Sequence, residues 1–218
     1  MAKIFEFSGG SYIDKVSGAV GVNTNGEFAR TEKGLMWRGN GTTTSVVYPA
    51  GKSPELGTGD FSIELYFKAK SKTSNQYWLF KSSVGTGIGY SVMLHPGNVA
   101  LMLNMQDAGG SSGYGLIPLG NIETGQIYHI IMTADRDGLA IGYLNGVNIT
   151  TTGGRDISAR NGSLTNVSSP LYFGSTSFGR INGDLGTTRI YDHILTEKQR
   201  SKLYNEFLNS HPVTRTIR

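Results

Sequence analysis

Apolar and polar residues alternate with a period of two through most of this chain, the pattern of strands with one face buried. The cleanest case is Gly59–Ala69, where Phe61, Ile63, Leu65 and Phe67 fall on one face and Ser62, Glu64, Tyr66 and Lys68 on the other. Glu64 is therefore expected to be an outward-facing carboxylate. Further strands are expected at Lys3–Phe7, Gly34–Gly41, Thr42–Tyr48, Tyr77–Lys81, Gly89–Leu94 and Asn98–Asn104. In the first of these Ile4 and a flanking aromatic should turn inward. Gln106–Tyr114 reads as a flexible polar loop, rich in Gly and Ser, with Gly115–Leu119 a short strand after it. Ile127–Ala134 and Leu139–Leu144 should pair as a hairpin, followed by an Asn145-Gly146 turn, a dipeptide that tolerates positive φ at both central positions. Gly153–Ser169 reads as a long polar loop, and Leu171–Gly174 as a return to the sheet.

One segment changes period. Thr196 precedes Glu-Lys-Gln, so Gln199 stands at the capping-box spacing, where hydroxyl and carboxamide each satisfy a free amide. Leu203 and Phe207 lie four apart, with Tyr204 and Leu208 beside them, so one stripe of the helix is apolar. The helix should act as a lid on a β core. The strand before it, Gly183–Tyr191, alternates only loosely, as expected of a strand at a sheet surface.

Composition sharpens this picture. Gly makes up 31 of 218 residues against only six Pro, roughly twice the ordinary share of about 7%. Spread along the chain, that excess implies many turns. About a dozen short strands and one late helix imply an all-β, two-sheet antiparallel sandwich. The chain reads as a single domain over residues 1–208, with a leading segment 1–34 and a basic tail 209–218. There is no Cys, which excludes disulfides, thiolate metal sites and a Cys nucleophile. No apolar run reaches the roughly 18 residues of a membrane span. The net charge is +4, but Lys and Arg are scattered, with no basic stripe interleaved with aromatics as nucleic acid requires. Neither nucleic acid nor membrane is an expected partner.

Several motifs then fall in order. Gly59–Lys68 resembles the "GDFTISAWVK" strand of laminin-G-like domains in the concanavalin A-like lectin/glucanase superfamily. Gly125–Ala134 resembles that family's "GxWHHVAVTYD" strand, with Tyr128 where the family has Trp. Ala140–Gly146 is similar to "LYVNG". Leu171–Gly174, Asn182–Asp192 and Leu195–Tyr204 resemble "LRIG…FNGxIDEVRIYNRALSxEEIxxLY", with Gly186-Thr187 in place of the acidic pair. The resemblance spans about residues 30–207. It implies a jelly roll with one concave face, where ligands and Ca²⁺ sit in that face or at its rim. No Asp-rich loop here groups several hard oxygen ligands at close spacing, as a tight Ca²⁺ site needs.

Candidate chemistry is sparse. Glycoside hydrolysis needs two carboxylates flanking the scissile bond. The superfamily's glucanases carry them as Glu-x-Asp-x-x-Glu, and no such triplet occurs; neither Glu64 nor Asp184 has an acid two residues away. His129, in a strand, reads as a structural histidine, and four scattered His make no metal cluster. Gly85-Thr-Gly-Ile-Gly lacks the Lys of a phosphate loop and reads as a hairpin turn. Loop residues are left as ligand candidates: Asn75, Gln76 and Tyr77, Asp107 and Tyr114, and Arg160 with Asn161. Aromatic rings stack on sugar faces and amides bond hydroxyls. The expectation is a non-enzymatic binding or structural module without a required cofactor, on a bacteriophage particle as a decoration or fibre component. Its expected partners are other virion or surface proteins, glycans and further copies of itself. The alternatives are a free lectin and a glycan-processing enzyme.

Overall fold

The computed structural model describes residues 2–8, 10–82, 87–150, 153–174 and 179–210. Two antiparallel sheets face each other. The larger is built from β1 (Lys3–Phe7), β3 (Glu27–Thr31), β4 (Gly34–Asn40), β6 (Phe61–Ala69), β11 (Tyr128–Ala134), β12 (Leu139–Leu144), β13 (Val147–Asn148), β14 (Arg155–Asp156) and β16 (Asn182–Tyr191). Its order is β13-β12-β11-β6-β16-β4-β3, with β1 also on β16 and β14 also on β12. The smaller sheet is built from β2 (Val22–Thr24), β5 (Ser45–Tyr48), β7 (Gln76–Ser82), β8 (Gly89–His95), β9 (Ala100–Asp107), β10 (Gly110–Pro118) and β15 (Leu171–Phe173). Its order is β10-β9-β8-β7-β15-β5-β2. All-β, two-sheet jelly-roll architecture is thus the observed fold.

The core lies between the sheets. Phe61, Ile63, Leu65 and Phe67 of β6 meet Trp78 and Leu79 of β7, Val92 and Leu94 of β8, and Leu101 and Leu103 of β9. From β1 it is Phe5 and Phe7 that enter fully, while Ile4 is only partly buried. A register shift between Lys3 and Phe5 lets Ile4 pack against the core from a partly buried position beside its flanking aromatic Phe5.

The helix α1 (Glu197–Asn209) starts as the sequence implies. Thr196 Oγ1 accepts from Gln199 N at 3.3 Å, and the Gln199 carboxamide accepts from Thr196 N at 2.8 Å. Its apolar stripe, Leu203 and Phe207, is buried on the outer face of the larger sheet.

Three expectations are corrected. β16 is a central strand, paired with β6 on one side and with β4 and β1 on the other. Its loose alternation reflects burial on both faces, with Gly183 and Gly186 where neighbours crowd in. Gln106–Tyr114 is no loop: β9 runs to Asp107, and β10 pairs with it from Gly110 onward. The ladder hydrogen bonds hold a stretch whose outward side chains have no apolar core to fill. Within Gly153–Ser169 the chain forms β14 and a 3-10 turn at Ser158–Arg160. The Gly85 turn and the basic tail fall largely outside the described residues.

Candidate functional site

The two sheets present different outer faces, and among the described residues the smaller one carries an open groove. On β7 a bulge between Tyr77 and Leu79 sends Trp78 and Leu79 both inward, wholly buried. Tyr77 and Phe80, three apart, therefore both face outward, which simple alternation forbids. Their ring centroids lie 5.1 Å apart, and Phe80 meets Tyr172 of β15 at 6.0 Å. Tyr77 pairs with Met93 and Phe80 with Ser91, so β8 continues the same surface. Asn104 and Met102 of β9 face those two residues in turn. Ser111 and Gly113 of β10 stand opposite Gln106 and Asn104.

These side chains line an open groove of about 430 Å³. Its polar floor is partly tied together. Asn104 Nδ2 donates to Ser91 Oγ at 3.0 Å, and Asn98 Nδ2 approaches Met102 Sδ at 3.1 Å. His95 Nδ1 accepts from Asn98 N at 2.9 Å. Burial pushes the Tyr77 hydroxyl above the usual tyrosine range, so it stays a neutral donor and acceptor. The chemistry on offer is rings beside amides and hydroxyls.

Of the sequence candidates, Asn75 and Tyr77 line this groove. Gln76, between them, points the other way; it donates to Ser71 O at 2.7 Å and accepts from Asn182 N at 2.9 Å. Tyr114 stands opposite Leu103 and packs on the core. Asp107 is buried and accepts from Gly109 N at 2.8 Å and Gly162 N at 3.0 Å, with Arg160 Nη1 at 3.4 Å. Arg160 Nε also donates to Ser112 Oγ at 2.9 Å, at the edge of the groove. Asp107 and Arg160 thus tie the β9–β10 turn to the loop after β14, while Asn161 is exposed beside them. Sequence reasoning missed Phe80, Ser91, Met93, Asn104 and Ser111. The available signal was the uncharged outward set of β8 and β9, which lies on strands rather than loops.

The outer face of the larger sheet is closed by α1. Glu64 is on the face opposite the core, but it is wholly buried rather than solvated, because the helix covers it. It meets His129 Nε2 at 3.0 Å, Arg189 Nη1 at 3.1 Å and the Tyr191 hydroxyl at 3.3 Å. Burial works against the Arg189 cation, but Glu64 and Glu6 more than offset it and its pKa rises. His129 stacks against Tyr204 and Phe207 at 5.7 and 5.5 Å. The expectation of a structural histidine fits this packing. Asp184 is likewise buried, with Arg38 Nε at 2.8 Å. Among the described residues no three His, Asp or Glu side chains converge as a cation site requires, and no helix is long and apolar enough to cross a membrane.

Residues 40–199 match the family model Laminin_G_3, described as the concanavalin A-like lectin/glucanases superfamily. No curated protein matches the sequence. Among solved structures, the binding domain of Paraclostridial Mosquitocidal Protein 1 superposes with a TM-score of 0.74 at 16% identity, over 95% of this chain and 52% of that one. The ligand-binding domain of botulinum neurotoxin serotype D, in complex with N-acetylneuraminic acid, gives 0.70 at 12% identity, over 93% and 50%. Domain 4 of AbnA, a GH43 extracellular arabinanase from Geobacillus stearothermophilus, in complex with arabinotriose, gives 0.68 at 20% identity, over 93% and 98%. The chain spans about half the length of the toxin domains and nearly all of the arabinanase domain.

Proposed function

Because the chain belongs to the concanavalin A-like lectin/glucanase superfamily, we propose that it is a non-enzymatic glycan-binding module and that the groove on the smaller sheet is its binding face. The observation that carries this is the meeting of Tyr77 and Phe80 with the amides of Asn75 and Asn104 and the hydroxyls of Ser91 and Ser111 in one open cleft. A sugar ring has an apolar C–H face and a polar edge. Such a ligand needs an aromatic surface beside hydrogen-bonding groups that can replace water. Solved neighbours in complex with N-acetylneuraminic acid and with arabinotriose support the reading.

The non-enzymatic part rests on where the acids sit. Glu64 and Asp184 are wholly buried in the larger sheet and paired with Arg189 and Arg38. Neither reaches the groove, and hydrolysis needs two carboxylates across one bond. Ca²⁺ is left out of the proposal: the Asp107 oxygens are taken by backbone amides and Arg160.

The test is a glycan array with the intact protein, followed by titration of any hit against Tyr77→Ala and Phe80→Ala. One saturable ligand is expected, weakened by about twofold to tenfold on losing either ring, since an aromatic contact contributes about 0.5–1.5 kcal/mol beyond burial. Ligand-free arrays would end the proposal. The carrier of the module is a separate proposal, a bacteriophage virion surface protein, motivated by a chain without Cys. Absence from purified particles by proteomics would end that one.

A further inference from the structure

The described lining of the groove contains no Asp, Glu, Lys or Arg. The chain carries 36 charged residues, 20 Lys and Arg and 16 Asp and Glu. The sequence places charges close by, and the fold removes each of them. Lys81 lies between the lining residues Phe80 and Ser82, yet it points to the opposite face. There its ammonium is wholly buried against Glu55 at 2.9 Å, Ser169 O at 2.8 Å and Asn166 O at 3.1 Å. Asp107 follows Gln106 but is turned to backbone amides. Arg160 touches the lining at Ser112, with its charge held by Asp107.

Resting on the glycan reading above, we infer that the groove takes a neutral, linear oligosaccharide several rings long and excludes acidic sugars. A carboxylate brought onto this floor would lose water and meet no Lys or Arg in the described lining, a cost that neutral amides and hydroxyls repay only in part. A neutral sugar loses far less and recovers it through the Asn and Ser side chains and the ring faces. Length follows from the lining. It runs the full extent of β7, from Asn75 beside one end to Ser82 at the other, which is about 23 Å at about 3.3 Å per residue. Tyr77 and Phe80 follow one another along that direction, so successive rings of one chain can meet successive aromatics.

Calorimetric titration of the intact protein tests this. The probes are arabino-, xylo- and cello-oligosaccharides graded from monosaccharide to hexasaccharide, and oligogalacturonate and sialyllactose as acidic probes, each at low and high salt. The expected result is binding of at least one neutral series, with affinity rising about tenfold or more from monosaccharide to tetrasaccharide. That binding should be insensitive to salt and weakened in both Phe80→Ala and the surface variant Asn75→Ala, and the acidic probes should give none. Salt-sensitive binding of oligogalacturonate or sialyllactose, lost in Phe80→Ala, would overturn the neutral assignment and leave the glycan groove standing. Affinity that is flat with length would overturn the linear, several-ring assignment. Failure of every probe, or binding untouched by both variants, would overturn the groove reading together with this one.

Discussion

Glu64 owes its position to its neighbours rather than to its own polarity. Its two oxygens are met by His129, Arg189 and Tyr191 while the residue is wholly buried. Arg189 in turn reaches Glu206 of the helix at 3.0 Å and lies 3.7 Å from Glu6. Glu6 is itself a contest: burial raises its pKa, but Lys3, Ser8 and Arg189 outweigh it, so the carboxyl titrates below its ordinary value. Removing one member of a buried charged set leaves the others unpaired, at about 3–5 kcal/mol. Glu64→Ala should therefore lose about 3 kcal/mol, read as a lower denaturant midpoint, with glycan titration unchanged. Unchanged stability would mean that the network is solvated. The enzymatic rival is tested by Glu64→Gln: turnover of a polysaccharide panel by the intact protein, lost in that variant at unchanged stability, would make Glu64 catalytic.

The elements differ in how far local sequence accounts for them. For α1 it accounts for the start: the capping box Thr196–Gln199 is formed on both sides. Thr196→Ala should cost about 1 kcal/mol, measurable as a lower thermal midpoint. The loss should be partly recovered by Thr196→Ser or Thr196→Asp, which keep an oxygen acceptor; equal midpoints for all variants would show that packing alone sets the helix start. For β10 local sequence accounts for little. Gly110-Ser-Ser-Gly113 has neither β-branched residues nor apolar alternation, yet its backbone pairs in register with β9 through Ser111–Gln106 and Gly113–Asn104. A Cβ at Gly113 would crowd Asn104 Oδ1 and stand 2.6 Å from the Met102 methyl, two side-chain ends that would have to shift. The strand is a partner's complement, held by the ladder and by the Asp107–Arg160 tie.

Among the described residues, the proposed binding groove and the buried Glu64 network lie on opposite outer faces. The outer face of the larger sheet carries α1 and the Glu64 network; that of the smaller sheet carries the groove. Sheets pack about 10 Å apart, so the two faces share no side chain. Phe207→Ala should lower stability by about 3 kcal/mol without weakening the glycan, and Tyr77→Ala the reverse. The double variant should be additive in both readouts within about 0.5 kcal/mol; a coupling above that would mean that the helix shapes the groove. Sequence alone determined the architecture and the helix, because alternation and capping are local consequences of which atoms avoid water and which amides need partners. It determined Tyr77 and Asn75 as candidates because rings and amides are chemically legible anywhere. Only the tertiary structure decided that Phe80 joins Tyr77, since a bulge shifts the alternation by one. It alone decided that Lys81 and Asp107 leave the groove and that Glu64 lies under a helix. A side chain's face is written in its own strand, whereas what covers that face comes from segments distant in the chain.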